Sequence, residues 1–252
     1  MNLKLYTFFR SSAAFRVRIA LNLKGLAYDA AFISLPAGDQ FGAGYKAVNP
    51  QARVPTLIAD GKTIYQSMAI MEWLEETHPN PPLLPKDAFG RARVRGLANV
   101  IACDIHPLNN LAVLKFLRDL KVSKEDVDGT WYHHWIQVGF EAFEDLVQRD
   151  RPAGRFCHGD TPGLADICLV PQVFNAQRYK VNLAPYPALM RVFEACMKVD
   201  AFDKAQPLKQ PDGANAAKRP ASCTPIALPS PSSRLETTRI SGNPARQLSR
   251  RT

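Results

Sequence analysis

The sequence contains few cysteines and no long apolar run. Its 252 residues include an odd number of cysteines with no Cys-x-x-Cys pair among them: Cys103, Cys157, Cys168, Cys196 and Cys223. This pattern argues against a disulfide framework or a zinc site and indicates reduced thiols in the cytoplasm. No stretch approaches about 18 uncharged apolar residues, so no membrane-spanning helix is predicted. The N-terminus also lacks the pattern of a signal peptide, because Lys4 follows almost at once.

Excess positive charge is scarce over most of the chain. The net charge is +9, but the last 39 residues carry seven Lys or Arg against one acid, which accounts for +6 of it. The body is therefore only mildly basic, and binding to nucleic acid is not predicted. Residues 207–252 are rich in Pro, Ser and Arg and poor in apolar side chains, which predicts a disordered tail. The composition as a whole, 46% apolar, is typical of a globular protein.

The first 83 residues alternate short strands and helices. "LKLYTFF" predicts a strand, and residues 12–24 have apolar side chains at helical spacing. "YDAAFISL" predicts a second strand, and "TLIADGKTIYQ" predicts two more around a tight turn at Asp60 and Gly61. Ser67 is expected to cap the helix that follows. The order β-α-β, then β-β-α, predicts a thioredoxin-like domain over residues 1–83.

The remainder of the body has no convincing strand. Residues 84–90 end a proline-rich stretch and are expected to form a linker. Helical periodicity then recurs in four stretches: 91–120, 129–150, 164–179 and 187–199. The predicted fold class is therefore α/β plus all-α, with a thioredoxin-like N-terminal domain followed by an all-helical domain over residues 91–206.

Two adjacent serines, Ser11 and Ser12, stand where the first strand meets the first helix. One serine is enough to cap a helix, so the second hydroxyl is available for another role, although both could be ordinary capping residues. The unpaired amides and positive dipole at a helix start favour a bound anion such as a thiolate. Lowering the pKa of a thiol from about 8.5 to below 7 requires roughly 2 kcal/mol. One hydrogen bond from a hydroxyl, together with the helix dipole, supplies a stabilisation of that size. Because no cysteine of this chain lies there, the thiol is expected from a ligand, with glutathione the intracellular candidate.

Six segments, in order, resemble zeta-class glutathione transferases: "FFRSSAAFRVRIALNLKG", "NPQARVPTL", "QSMAIMEWLEETHP", "IHPLNNLAVLK", "ADICLVPQVFNAQRYKVNL" and "PYPAL". The resemblance runs over residues 3–212. It implies the glutathione transferase fold, with glutathione as the cofactor. It also implies a cytoplasmic homodimer that isomerises maleylacetoacetate to fumarylacetoacetate in phenylalanine and tyrosine catabolism. In that reaction the thiolate adds reversibly to the cis double bond, which then rotates.

The resemblance carries seven residues over to a glutathione site: Gln40, Val54, Pro55, Gln66, Ser67, His106 and Asn110. The Val54 backbone is expected to bind the cysteinyl group, beside a cis peptide bond at Pro55. Gln66 and Ser67 are expected to hold the γ-glutamyl end, with its carboxylate at a helix N-terminus. The other three match further polar contacts to the peptide, although His106 could equally be a packed histidine.

The resemblance also assigns the catalytic residues. Ser11 or Ser12 is expected to face the sulfur, and Ser12 is favoured because the family pattern puts its second serine there. Arg10 and Arg178 are the expected cationic partners of a small dicarboxylate substrate, although either could be a surface arginine. The family motif usually has cysteine where this chain has Ala13, so no covalent step can use that position.

Three alternatives remain open at this stage. The enzyme could be a maleylpyruvate isomerase or a glutathione transferase for small α-halo acids, since the same thiolate and arginines would serve all of them. Maleylpyruvate-type relatives carry arginine just after the Asn-Asn pair, whereas this chain has Leu111 and Ala112. The third alternative is a non-catalytic binding protein that keeps only the scaffold. The missing cysteine favours it mildly, and the two serines argue against it.

Overall fold

The computed structural model describes residues 1–149 and 154–217, all within one compact unit. Its N-terminal part holds a mixed sheet of four strands in the order β2-β1-β3-β4. The strands are β1 Leu3–Thr7, β2 Asp29–Phe32, β3 Thr56–Ala59 and β4 Lys62–Tyr65. β1 runs parallel to β2 and antiparallel to β3, with Leu5 opposite both Ala30 and Leu57. This is the predicted thioredoxin-like arrangement.

Ten α-helices occur within the described ranges, and those after α3 form the all-helical part. They are α1 Ser12–Leu23, α2 Ala43–Val48, α3 Ser67–Thr77, α4 Ala88–Asn99, α5 Leu111–Asp119, α6 Tyr132–Arg149, α7 Leu164–Arg178, α8 Pro187–Met197, α9 Asp200–Lys204 and α10 Pro211–Ala217. Short 3-10 turns at Asp39–Phe41 and Pro207–Lys209 and π-helical turns at Val100–Ile105 and Asp126–Trp131 complete the described elements. No helix in the described part of the chain is long and apolar enough to cross a membrane.

The β3–β4 hairpin turns at Asp60 and Gly61, as predicted. Their φ angles are +46° and +81°, the left-handed values that a two-residue hairpin turn requires. Gly adopts such an angle without strain, and Asp tolerates it better than most residues. The hairpin places the end of β4 directly before α3, where part of the candidate site lies.

Several predicted boundaries were wrong. The stretch 91–120 is two helices, because Pro107 lacks the N–H that a continuous helix needs and Asn110 caps a new helix. The linker ends before 88, since Asp87 caps α4 by accepting a hydrogen bond from the Gly90 amide at 2.7 Å. Ser67 is the first residue of α3 rather than its cap, which is Gln66.

The predicted tail also begins too early. Residues 207–217 form a 3-10 turn and α10, and Gly213 is buried so close to Phe9 and the Pro207 carbonyl that a Cβ there would clash. The composition of residues 207–217, in which Pro and Ala are the commonest residues, did not predict that a few of these small residues pack against the body. Residues 218–252 of the predicted tail lie outside the described residues.

Helix α1 joins the sheet to the helical part. Its Arg18 side chain donates to the Ala205 carbonyl, and its Asn22 side chain donates to the Ala201 carbonyl at 2.9 Å. Both arginines of α1 are at most 2% exposed. One apolar core continues from β1 and α1 into α4, α6, α7 and α8. The start of α1 is therefore fixed against the helical part by side chains of its own helix.

Candidate active site

Ser11 is the residue that caps α1. Its backbone is extended (φ −70°, ψ 115°), and its Oγ accepts a hydrogen bond from the Ala14 amide at 3.2 Å. A capping hydroxyl accepts this bond, so its own proton remains free for another acceptor. Ser11 is only half-buried, so a ligand can reach it. The prediction that one of the two serines caps the helix is confirmed.

Ser12 has a different environment. It is 6% exposed, and its Oγ accepts a hydrogen bond of 2.6 Å from the side-chain nitrogen of Asn175 on α7, itself 7% exposed. Successive helical residues project about 100° apart, so neighbouring serines face different surroundings. The geometry therefore does not support the preference for Ser12 as the residue facing a sulfur. Ser11 is the more accessible of the two hydroxyls.

The two predicted arginines belong to different parts of the fold, yet the positive charge of one acts on the other. Burial lowers the pKa of Arg10 below its ordinary value, and the positive charge of Arg178 lowers it further. The Arg10 guanidinium lies 5.0 Å from the centre of the Phe9 ring, and that of Arg178 lies 4.6 Å from the Tyr179 ring. Both arginines are exposed. Two neighbouring cations without an ion-pair partner in the described part of the chain suit a ligand with two negative charges.

The loop before β3 has the predicted cis peptide bond between Val54 and Pro55. Two buried side chains brace it by donating to the Arg53 carbonyl: the Tyr45 hydroxyl at 2.6 Å and the Asn49 side-chain nitrogen at 2.8 Å. Val54 is 8% exposed and packs in a small cluster with Phe8, Phe9 and Tyr45. The loop is thereby fixed beside the segment that leads into α1.

The start of α3 combines an unusual backbone angle with a buried hydroxyl. Gln66 has φ +68°, which costs energy for a residue other than glycine, and its side chain donates to the Gln51 side-chain oxygen at 2.9 Å. Ser67 is 5% exposed and begins the helix. Its Oγ accepts a hydrogen bond of 3.3 Å from Arg16. The Ser67 hydroxyl proton is therefore free to be donated to a ligand acceptor at the start of α3.

Gln40 and Asn110 each use one polar atom within the protein. The Gln40 side chain, 9% exposed, donates to the Leu35 carbonyl at 3.4 Å, while its Oε1 has no partner in the described part of the chain. Asn110 caps α5 by accepting a hydrogen bond from the Ala112 amide at 3.0 Å. Its side-chain nitrogen stays available as a donor. Both residues can therefore offer the polar contacts that were predicted for them.

His106 is uncharged at neutral pH. Burial lowers its pKa to about 3, with smaller contributions from the positive charges of Arg16 and Arg53. A neutral imidazole has one donor and one acceptor nitrogen, so His106 can offer either to a peptide.

Three residues of this region were not singled out by the sequence. Asn175 lies within "NAQRYKV", yet only the fold brings it to Ser12, 163 positions away. Arg16 lies within the predicted first helix, where the sequence assigned it no role in the site. Asp212 was assigned to the tail, but its carboxylate accepts a 2.8 Å hydrogen bond from the Phe9 amide. No local sequence pattern predicts contacts between positions so far apart in the chain.

These groups fit glutathione, a tripeptide with a thiol and two carboxylates. They comprise two helix N-termini, a cis-proline loop and buried donors and acceptors, of which Arg16 and Gln40 still have atoms without a partner in the described structure. Helix N-termini and arginines favour anions. Among the described residues, no three His, Cys, Asp or Glu side chains could together hold a metal ion.

Two family models match the chain. The model for the N-terminal domain of glutathione S-transferases matches residues 10–77, and the model for the C-terminal domain matches residues 129–195. Among curated relatives, a maleylpyruvate isomerase of Ralstonia sp is 48% identical over 84% of this chain and 100% of its own length. A maleylacetoacetate isomerase of Rattus norvegicus is 46% identical over 82% of this chain and 94% of its own.

Solved structures agree with these matches. The holo structure of a maleyl pyruvate isomerase, a bacterial zeta-class glutathione S-transferase, is 47% identical, covering 83% of this chain and 99% of its own, with a TM-score of 0.81. A maleylacetoacetate isomerase from Anaeromyxobacter dehalogenans 2CP-1 was solved with dicarboxyethyl glutathione and citrate in its active site. It is 48% identical, covers 84% of this chain and 97% of its own, and has a TM-score of 0.75.

The chain belongs to the glutathione S-transferase family. The predicted fold class is confirmed by the two family models and by the structural likeness. Within that family the likeness is to the zeta class, as the segments quoted above indicated, and these relatives are named maleylpyruvate isomerase or maleylacetoacetate isomerase.

Proposed function

We propose that this protein is a glutathione-dependent cis–trans isomerase that converts maleylacetoacetate to fumarylacetoacetate. The observation that carries the proposal is that Arg10, on which the positive charge of Arg178 acts, directly precedes the accessible hydroxyl of Ser11. Relatives with 46–48% identity bear the names of isomerases for such dianionic substrates. One similar enzyme binds a glutathione that carries two further carboxyl groups.

Glutathione supplies the thiolate that adds to the cis double bond and leaves after the bond has rotated. We propose that it is held through the Val54 backbone beside Pro55, through Gln66 and Ser67, and through Gln40, His106 and Asn110. Ser67 offers a hydroxyl proton at the start of α3, where an anionic end is favoured. The neutral ring of His106 and the side-chain nitrogen of Asn110 offer further polar contacts.

Ser11 is the proposed donor to the sulfur. Its oxygen accepts a hydrogen bond from the Ala14 amide, so its hydroxyl proton is free to donate a charge-assisted hydrogen bond to the thiolate. The dipole of the twelve-residue α1 adds to that bond at the same position. Together these terms stabilise the thiolate relative to the thiol, and neither depends on the cysteine that Ala13 replaces.

Arg10 and Arg178 are the proposed substrate clamp. The two guanidinium groups repel each other without a ligand and attract a dianion placed between them. Fixing both carboxylates orients the double bond over the sulfur, and orientation of this kind is worth several kcal/mol. The same cations stabilise negative charge that develops on the substrate during the reaction.

Maleylpyruvate is the second candidate substrate. It carries the same two charges, and the maleylpyruvate isomerase of Ralstonia sp is one of the similar relatives. Maleylacetoacetate is favoured because α5 begins with the exposed apolar side chain of Leu111, followed by Ala112, and so offers no cation there.

An isomerase assay with both substrates, with and without glutathione, tests this function. We expect turnover of maleylacetoacetate that requires glutathione and exceeds the turnover of maleylpyruvate. Ser11→Ala should raise the pKa of bound glutathione by about one unit, measured by thiolate absorbance, and slow turnover at least tenfold. Ser12→Ala, the matched control, should leave that pKa unchanged. Glutathione-independent turnover, or none of either substrate, would refute the proposal, and a pKa shift in Ser12→Ala alone would return the role to Ser12.

We further propose that the enzyme works as a homodimer in the cytoplasm. Phe89 at the start of α4 is 90% exposed and Tyr65 at the end of β4 is 38% exposed, and large apolar side chains of this kind favour burial between subunits. The four cysteines within the described residues are free thiols, as a reducing compartment requires. Sedimentation equilibrium should give a mass near twice the 28.0 kDa of the chain.

A further inference from the structure

Helix α1 contains two buried arginines that differ in their partners. Arg16 is 2% exposed and Arg18 is 1% exposed, and they lie only two positions apart. A buried guanidinium normally has its donors satisfied, because an unpaired buried charge is costly. The hydrogen-bond partners of the two side chains therefore show which arginine has a structural role and which lacks a counter-charge.

Arg18 is satisfied within the protein. Its guanidinium makes five hydrogen bonds of 3.0–3.4 Å: two to the Ala205 carbonyl and one each to the Thr7 hydroxyl, the Phe8 carbonyl and the Phe9 carbonyl. These contacts tie α1 to the end of β1 and to the residue after α9. Arg18 is thus a structural residue.

Arg16 is not satisfied. Its Nη1 donates to Ser67 Oγ at 3.3 Å, while its Nε and Nη2 are buried without a partner in the described part of the chain. It forms no ion pair with any acid of residues 1–149 and 154–217. Burial lowers the pKa of Arg16, but an arginine stays protonated at neutral pH. The folded protein therefore holds an unpaired cation in its interior.

Ser67, which accepts a hydrogen bond from this cation, lies at a place suited to an anion. Ser67 is the first residue of α3, an eleven-residue helix whose N-terminal amides and dipole favour negative charge. Because Ser67 Oγ accepts from Arg16, its hydroxyl proton remains available for an acceptor. The helix dipole, the hydroxyl proton and the buried charge therefore act on the same position.

We propose that Arg16 is a positioning residue for the γ-glutamyl carboxylate of glutathione, which acts as the missing counter-charge of this buried guanidinium through Ser67. The inference rests on the proposed glutathione site at Ser67. It adds that part of the affinity for glutathione comes from a cation that need not touch the ligand. It also follows that the cation is kept at a cost to the ligand-free protein.

The test compares two ligands in three full-length variants. Glutathione and 4-aminobutyryl-cysteinylglycine, which lacks only the γ-glutamyl carboxylate, are titrated by calorimetry into Arg16→Met, Arg16→Lys and the control Arg18→Met. Arg16→Met should weaken glutathione at least tenfold and change the analogue less than twofold. The melting temperature of ligand-free Arg16→Met should equal or exceed that of the wild type. Arg18→Met should melt several degrees lower and affect both ligands alike.

Equal weakening of both ligands by Arg16→Met, or no weakening of glutathione, would overturn the inference. If Arg16→Met does not fold, Arg16→Lys decides. The lysine side chain is shorter and reaches Ser67 less well, so the preference for glutathione over the analogue should fall at least threefold. An unchanged preference overturns the inference. A wild type that binds both ligands equally refutes the role of Arg16 but leaves the proposed function standing. A wild type that binds neither refutes the proposed function itself.

Discussion

The carboxylate of Asp212 is expected to hold the loop that leads into the active site. It accepts a hydrogen bond of 2.8 Å from the amide of Phe9, a residue only 5% exposed and directly before Arg10. Asp212→Ala leaves this buried amide without a partner, and the loss of a hydrogen bond to a charged group costs about 1.5–3 kcal/mol. Asp212 also supplies negative charge near the buried Arg18, whose pKa burial lowers to about 10, so the upper end of that range applies.

The expected loss corresponds to roughly 5–10 °C in melting temperature for a chain of this size, measured by circular dichroism. Activity should fall as well, because the loop between β1 and α1 carries Arg10 and Ser11. Asp212→Asn is the matched variant, since it keeps an acceptor for the Phe9 amide and should recover more than half of the stability. If Asp212→Ala melts within 1 °C of the wild type with unchanged turnover, α10 does not hold the loop and this reasoning fails.

Three further predictions concern the ion pair, the clamp and the neutral histidine. Glu75→Ala should lower the unfolding free energy by about 3–5 kcal/mol in urea titrations, because it strands the buried Lys24 ammonium that lies 2.7 Å from the carboxylate; a loss under 1 kcal/mol would contradict this. Arg178→Ala should cut isomerase kcat/KM about a hundredfold, or about 2.7 kcal/mol, while conjugation to an uncharged electrophile stays within a few-fold; equal losses would remove Arg178 from the clamp. The folded-state pKa of His106 is about 3 against about 6.5 when unfolded, so the unfolded chain binds the extra proton and stability falls as pH drops below 6.5. His106→Asn should flatten this acid limb between pH 4 and 6.5 in urea titrations, and an unaltered limb would contradict the assignment.

Much of the fold could be predicted from local patterns. The four strands and the Asp60-Gly61 turn follow from residue preferences over a few positions, which is the range on which hairpin geometry depends. The helical stretches were recognised from the spacing of their apolar residues. Their ends were predicted wrongly where a single capping residue or proline determines where the helix begins or ends. Asp87 starts α4 earlier than predicted, and Pro107 interrupts the same predicted stretch, 91–120. Such single-residue effects are weak signals within a long periodic pattern.

The site could be predicted only as a set of positions. Ser67 and Pro55 were identified through the resemblance, and the cis peptide bond at Pro55 is present. The sequence could not tell which serine is accessible or which buried arginine is unpaired, because both depend on partners far along the chain. Arg16 and Arg18 have identical chemistry and nearly identical burial, and only the carbonyls around Arg18 distinguish them.

Asn175 explains why the two serines are not interchangeable. It lies one turn before Arg178 on α7, and its hydrogen bond to Ser12 fixes that helix against the start of α1. Arg10 lies two residues before Ser12, so the same bond helps to set the separation of the two guanidinium groups. Ser12 is 6% exposed and packed between the two helices, so its hydroxyl is less accessible to a bound sulfur than the hydroxyl of the half-buried Ser11. The neighbouring Ser11 has its oxygen fixed by a backbone amide and its proton free, so one hydroxyl can hold the helices together while the other serves the ligand.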